Sequence, residues 1–193
     1  MSTPIQVGIT GGIGSGKSII SHILRIMQYP VYDTDTQAKI LMDTPTLRQA
    51  LVAQWGADII LPNGEINRPH LSQIVFNDPQ QLAILNNIVH PAVRNHYAQW
   101  VAMQQSPIVF VESAILHQAN MHTTLHHIWI VEADNETRIK RVMLRNNIGR
   151  HDVEARITTQ CNPPIDNRTH IITNDNRQAV LPQILTLLNH ILT

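Results

Sequence analysis

Thiol chemistry is nearly absent from this chain. Its 193 residues hold one cysteine, Cys161, so no internal disulfide can form and a reducing compartment suits it. Charge is sparse and balanced. Fourteen basic residues face fourteen acidic ones, and charged residues are 15% of the total. No global field therefore draws the protein to nucleic acid or to an anionic membrane, and any phosphate recognition must be local. No window reaches the ~18 uninterrupted apolar residues of a membrane span. The first residues lack a basic segment followed by a long apolar one, so no secretory signal is expected. These absences point to a cytoplasmic protein with neither a nucleic-acid nor a membrane partner. Oligomeric state leaves no trace in the sequence, and a monomer is compatible with it. Eleven histidines are many for this length, but most stand singly, as at His22, His122 and His151, without metal-ligand spacing.

Apolar residues reach 43%, enough for one globular domain with small insertions. Ile5, Val7 and Ile9 alternate with Gln6 and Gly8 as in a strand. Ile19, Ile20, Ile23, Leu24 and Met27 follow helical spacing, which Pro30 stops. Val31-Tyr32 opens a short second strand ending near Asp33 and Asp35. From about Thr36 to Gln105 the pattern is helical, with Thr44-Pro45 and Asp78-Pro79 as caps followed by proline and a turn at Pro62-Asn63-Gly64. Ile108–Val111 and Ile128–Val131 are continuous apolar runs closed by Glu112 and Glu132. Such runs suit parallel strands covered on both faces. Helices are expected over about 135–147 and 152–160, a weak fifth strand at Ile171-Ile172, and a closing amphipathic helix marked by Val180, Ile184, Leu187, Leu188 and Ile191. Alternating strands and helices predict an α/β fold with a parallel sheet, whose ligands bind at the carboxyl ends of the strands. The glycine loop, Asp35 and Glu112 are all expected at such ends.

The segment Gly11-Gly12-Ile13-Gly14-Ser15-Gly16-Lys17-Ser18 fits G-x-x-x-x-G-K-S between a strand and a helix. Backbone N–H groups of such a loop converge on phosphate oxygens, and glycine permits the turns. The following helix N-terminus adds a dipole favourable to anions. Lys17 offers a point charge to the β- and γ-phosphates, and Ser18 a hydroxyl to Mg²⁺. A nucleoside triphosphate is the expected ligand. Asp33-Thr34-Asp35 could supply a base for a hydroxyl acceptor or organise Mg²⁺, and an ordinary polar turn explains it equally. Glu112 is placed as a Walker-B-type carboxylate or as a plain strand terminator. Arg138, Arg141 and Arg145 are spaced to share one helical face, with Arg150 and Arg156 beyond. They read as a lid over a transferring phosphoryl group. His90-Pro91 reads as a helix end with a capped or core histidine.

Together these residues resemble the dephospho-CoA kinase family over nearly the whole chain. The strongest stretch is Gly8-Ile9-Thr10-Gly11-Gly12-Ile13-Gly14-Ser15-Gly16-Lys17-Ser18. It is joined by Val31-Tyr32-Asp33-Thr34-Asp35, by Gly64-Glu65-Ile66-Asn67-Arg68 with Leu71 and Phe76, and by Val89-His90-Pro91. Ala114-Ile115-Leu116, the arginine-rich stretches 138–145 and 156–160, and Ile172-Thr173-Asn174 complete the series. The resemblance implies transfer of a phosphoryl group from ATP, with Mg²⁺, to the ribose 3′-hydroxyl of dephospho-CoA. It implies a P-loop fold with a five-stranded parallel sheet flanked by helices. The nucleotide-binding core would be 1–35, 106–135 and 168–193, the helical acceptor-binding region 36–105, and the lid 136–167. It places Thr10, Lys17, Asp35 and Arg141 at the catalytic centre, with Asp35 as the base. Residues Gly11 to Ile19, with Arg145 and Asn174, would hold ATP. Arg68, His90 and Leu116 would serve the acceptor, with Asp35, and Ser18 the metal. The chain departs from the family pattern at His117 and Gln118, where an aromatic or apolar residue and a glutamate are usual, and at Arg168 and Thr169, where Ala-Asp is usual.

Three other readings compete. A P-loop kinase of another metabolite or nucleoside would share the fold, but the Thr-Gly-Gly-Ile opening and the His-Pro pair speak against it. A GTPase-type switch needs N-K-x-D and D-x-x-G, which the sequence lacks. A nucleotide-binding module without chemistry would not need Asp35 and Arg141.

Overall fold

The computed structural model describes residues 3–76, 78–160 and 163–192; Cys161 lies outside them. The chain divides into two compact units. One combines the segment up to Tyr32 with the segment from Gln104 onward, and the other spans Asp33–Met103.

The first unit is built on the five-stranded parallel sheet expected from the apolar runs, in the order β2-β3-β1-β4-β5. The strands are β1 (Ile5–Thr10), β2 (Val31–Asp33), β3 (Ile108–Glu112), β4 (His127–Glu132) and β5 (Thr169–Thr173). β1 is central. Ile5 registers with Ile108 and Ile9 with Glu112 on one side, and Val7 with His127 and Thr10 with Ile130 on the other. β5 pairs with β4 from Thr169 opposite Ile128 to Thr173 opposite Glu132. Ile108 to Val111 are wholly inaccessible, because helices cover both faces of a parallel sheet. Helix α1 (Lys17–Ile26) and the terminal helix α8 (Val180–Leu192) enclose a core of Val7, Ile9, Ile20, Leu24, Phe110, Trp129, Ile172, Ile184 and Leu188. Phe110 and Trp129 meet at 5.2 Å. Helices α6 (Asn135–Asn146) and α7 (Arg150–Thr158) form a small core of their own, where Ile139, Val142 and Val153 pack with Ile13 of the glycine loop. Residues 136–167, read as a lid, fall inside this unit.

The second unit holds α2 (Thr34–Met42), α3 (Pro45–Trp55), α4 (Arg68–Phe76) and α5 (Pro79–Ala102). Leu51, Ile59, Ile66, Leu71 and Val75 form its core. Asp78 caps α5 by accepting from the N–H groups of Gln80 and Gln81, as the Asp-Pro pair suggested. Thr44 caps α3 without a side-chain bond to it; its hydroxyl donates to the Leu41 carbonyl instead.

Two expectations are corrected here. β2 ends at Asp33, whose carboxylate accepts from the Thr36 N–H and so starts α2 two residues earlier. Asp35 is therefore an exposed residue in the first turn of a helix, not a strand terminus. His90-Pro91 is not a helix end either, since α5 runs through Pro91 for 24 residues. Proline costs that helix one backbone bond, while Val89, Val93, Tyr97 and Val101, spaced four apart, continue its buried stripe and hold it together.

Candidate active site

The glycine loop leaves β1 at Thr10 and enters α1 at Lys17. Gly14 (φ 77°) and Gly16 (φ 99°) take left-handed conformations that side chains rarely adopt. Gly16 is the N-cap of α1, and a Cβ there would strike the Asn174 amide. Lys17 Nζ folds back onto the loop, donating to the carbonyls of Gly11 (2.9 Å) and Gly12 (3.4 Å). Ser15 Oγ is buried, and Ser15 lines the adjoining cleft; the hydroxyl has no hydrogen-bond partner among the described residues. A buried hydroxyl without a protein partner, in a glycine loop that leads into a helix N-terminus, suits a phosphate.

Two arginines of α6 grip the loop from outside. Arg138 Nε donates to the Ile13 carbonyl (3.0 Å) and Nη1 to Asn135 Oδ1 (3.2 Å). Arg141 Nη1 reaches the carbonyls of Gly14 (3.4 Å) and Ser15 (3.2 Å), and Nη2 reaches Asn174 (3.4 Å) and Asn176 (2.6 Å). Asn174 closes the junction. Its Nδ2 donates to the Ser15 carbonyl (2.8 Å) and its backbone N–H to the Glu132 carbonyl (2.7 Å). The end of β5, the end of β4, α6 and the loop are thereby bonded into one frame. Burial pushes the Arg138 guanidinium below its ordinary value. Among the described residues Arg68, Arg150 and Arg168 form ion pairs, whereas Arg138 and Arg141 form none. Cations held at a glycine loop without a carboxylate partner favour an anion there.

Arg145 does not join this network. It is exposed and bonds to the neighbouring Asn146. The three arginines do share a face, but seven residues of helix rise carry Arg145 about 10 Å beyond Arg138, past the loop. Arg150 is engaged with Glu136 and Glu154, and Arg156 is exposed. Thr10 is buried at the end of β1, Leu116 is buried after β3, and both line a cleft of about 1010 Å³ together with Gly11, Gly12, Ser15 and Arg138. Ser18 is an exposed residue in the first turn of α1, Ile19 is exposed and its N–H bonds the Gly16 carbonyl. Glu112 ends β3 half-buried.

In the second unit, Arg68 begins α4. It forms an ion pair with Asp43, the C-cap of α2, and donates to the Lys39 carbonyl (2.9 Å). Asp43 also accepts from the Ile66 N–H (2.9 Å), so Arg68 ties α2 to α4. His90 is half-buried in mid-helix, and burial, with Arg94 one turn on, lowers its pKa.

Two contacts escaped the sequence reading. Gln160 Oε1 accepts from the Ile13 N–H (2.7 Å) across 147 residues, although Gln160 closes the arginine-bearing stretch that drew attention. Asn176 holds Arg141, and no sequence signal marked it.

The family model for dephospho-CoA kinase matches residues 5–179. The chain belongs to the dephospho-CoA kinase family. A dephospho-CoA kinase of Bacteroides fragilis is 34% identical over 188 residues, covering 95% of this chain and 91% of its own. One of Geobacter metallireducens is 37% identical, covering 85% and 83%. A crystal structure from Thermus thermophilus matches with a TM-score of 0.85 at 30% identity over the whole of both chains. The dephospho-CoA kinase of Campylobacter jejuni shares the fold, with a TM-score of 0.66 at 23% identity over 96% of each chain. Membership makes the chain a transferase of the P-loop kinase fold, with ATP as the family's phosphoryl donor.

Proposed function

We propose that this protein transfers the γ-phosphoryl group of ATP to the ribose 3′-hydroxyl of dephospho-CoA, giving coenzyme A and ADP, the last step of coenzyme A formation. The observation that carries this reading is the pair of α6 arginines set on the carbonyls of a glycine loop without carboxylate partners, in a chain of this family.

Each residue then has a task. The glycine loop from Gly11 to Ser18, with Ile19 behind it, and the Ser15 hydroxyl receive the phosphates, the Ile13 N–H giving up its bond to Gln160 as they bind. Lys17 exchanges its bonds to the Gly11 and Gly12 carbonyls for the β- and γ-phosphate oxygens. Arg138 and Arg141 neutralise charge spread over the transferring group, which is the main thing a protein supplies to phosphoryl transfer. Asn174 lies beside the adenine end. Arg145, further along α6, serves ATP once the lid has closed over it. Asp35 accepts the proton of the attacking hydroxyl, and its exposure leaves the carboxylate open to the acceptor. Thr10 and Leu116 shape the cleft in which the hydroxyl meets the phosphate, while Arg68 and His90 belong to the acceptor-binding helices. The hydroxyl of Ser18, a hard oxygen donor at the head of α1, would hold Mg²⁺, which when bound would offset phosphate charge. No helix among the described residues is long and apolar enough to cross a membrane, in keeping with a cytoplasmic enzyme acting on small soluble substrates, with a monomer sufficient for the chemistry.

The test is ADP release from ATP and Mg²⁺ with and without dephospho-CoA. Release that depends on dephospho-CoA supports the reading. Release that ignores it, or that adenosine supports equally, rejects it in favour of another acceptor.

A further inference from the structure

One wall of the cleft is built by groups that the phosphate machinery does not use. After β3 the chain turns back on itself. Ala119 N–H donates to the Ile115 carbonyl (2.8 Å), Asn120 to His117 (3.0 Å) and Met121 to Leu116 (2.9 Å). Leu116 is buried beneath the turn, and His117 is left half-buried on the cleft wall. The His117 ring stacks on that of His122, with centroids 4.5 Å apart and planes 24° from parallel. His122 is fixed in turn by Arg168, whose Nη1 donates to the carbonyls of His122 and Leu125 (both 3.1 Å) while its Nη2 pairs with Asp166 (2.6 Å). An Asp166–Arg168 brace, the His122 ring and the His117 ring therefore stand in succession behind the cleft.

Stacking and the brace hold this ring, since the His117 imidazole makes no hydrogen bond to protein among the described residues. Burial, then His122, lower the proton affinity of His117; Asp166 acts in the opposite sense and Arg168 in the same one. A neutral imidazole results, with one nitrogen a donor and the other an acceptor. Glu132, Asp134, Arg138, Asp175 and Arg177 line the same cleft. Asn174, which marks the adenine end in the functional reading, does not line it.

We propose that His117 is a specificity-determining residue for the phosphoryl acceptor, with a ring nitrogen hydrogen-bonding a polar group of the acceptor while His122 holds the ring plane. The proposal rests on the function given above and adds the side chain that selects the second substrate.

His117→Ala removes ring and nitrogens, and His117→Phe keeps a stacking plane without them. Initial rates with ATP and dephospho-CoA varied in turn, with thermal melting as a check on folding, separate the possibilities. The KM for dephospho-CoA is expected to rise about ten-fold in both variants, as for loss of one neutral hydrogen bond. The KM for ATP should stay within about two-fold of wild type. An unchanged acceptor KM overturns the proposal, as does an equal rise for both substrates. A Phe variant that behaves like wild type overturns it too, because the plane alone would then suffice. If the wild-type protein makes no coenzyme A, the functional reading itself has failed, which these variants cannot mimic.

Discussion

A methyl group added at Gly14 should cost more than its backbone conformation alone explains. The φ of 77° charges any L-residue about 1–2 kcal/mol. A Cβ there would also stand 2.6 Å from the Arg138 carbonyl oxygen, 2.9 Å from Val142 Cγ2 and 3.1 Å from the Arg138 carbonyl carbon. The oxygen and carbon are backbone atoms of α6, so no rotamer change relieves the contact, and overpacking of this kind adds about 1–3 kcal/mol. Gly14→Ala should therefore destabilise by about 2–5 kcal/mol. Gly64 gives an internal control. Its φ is 84°, yet its added Cβ would meet nothing nearer than Arg48 Nη1 at 3.6 Å, so Gly64→Ala should cost only the conformational part, about 1–2 kcal/mol. Urea unfolding of both variants measures the difference. ATP affinity should fall in the Gly14 variant alone, because pushing α6 away carries Arg138 and Arg141 off the loop. Equal losses in the two variants, or a Gly14 variant as stable as wild type, would show that the loop and α6 are not packed as described.

Asp35→Asn should leave ATP binding near wild type and lower turnover by roughly ten-fold to ten-thousand-fold, the range for a general base; near-normal turnover removes Asp35 from that role. Asp78→Ala deletes the carboxylate that accepts from Gln80 and Gln81 and should cost about 1 kcal/mol in chemical denaturation. Acid should weaken the sheet edge where His127 Nδ1 lies 3.4 Å from His170 Nε2 and the rings of His170 and His190 are 5.8 Å apart. Burial, then the neighbouring imidazoles (His170, His126 and His190 around His127, His190 beside His170), hold both pKa values below the ordinary 6.5. The unfolded chain thus binds protons first as pH falls. Stability is intact above about 6.5 and is lost from there down toward the folded-state values. Thermal melts should show a shallower acid loss in His127→Gln/His170→Gln than in wild type, and parallel pH profiles would contradict the cluster's role.

The sheet was legible because burial on both faces forces uninterrupted apolar strands, and Ile108–Val111 and Ile128–Val131 have no other economical placement. The loop was legible because few patterns satisfy its backbone and its lysine at once. Helix boundaries were less so. Asp33 and Asp35 are equally good caps by residue type, and only the backbone shows that Asp33 takes the Thr36 N–H. Pro91 marked a helix end by local propensity, but the buried stripe on either side overrides one lost hydrogen bond. The arginine spacing put Arg138, Arg141 and Arg145 on one face correctly, while the reach of the loop along that face is a tertiary fact. The Ile13–Gln160 bond, the His117–His122 stack and the contact of His127 with His170 across 43 residues follow from register and topology, to which a single sequence gives no access.

The central claim is most directly tested by following the γ-phosphate of labelled ATP. With Mg²⁺ and equimolar dephospho-CoA and adenosine, the label is expected on the ribose 3′-oxygen of coenzyme A, one ADP formed per label transferred and none on adenosine. Label released as free phosphate, or carried by adenosine while dephospho-CoA stays unmodified, would contradict the account.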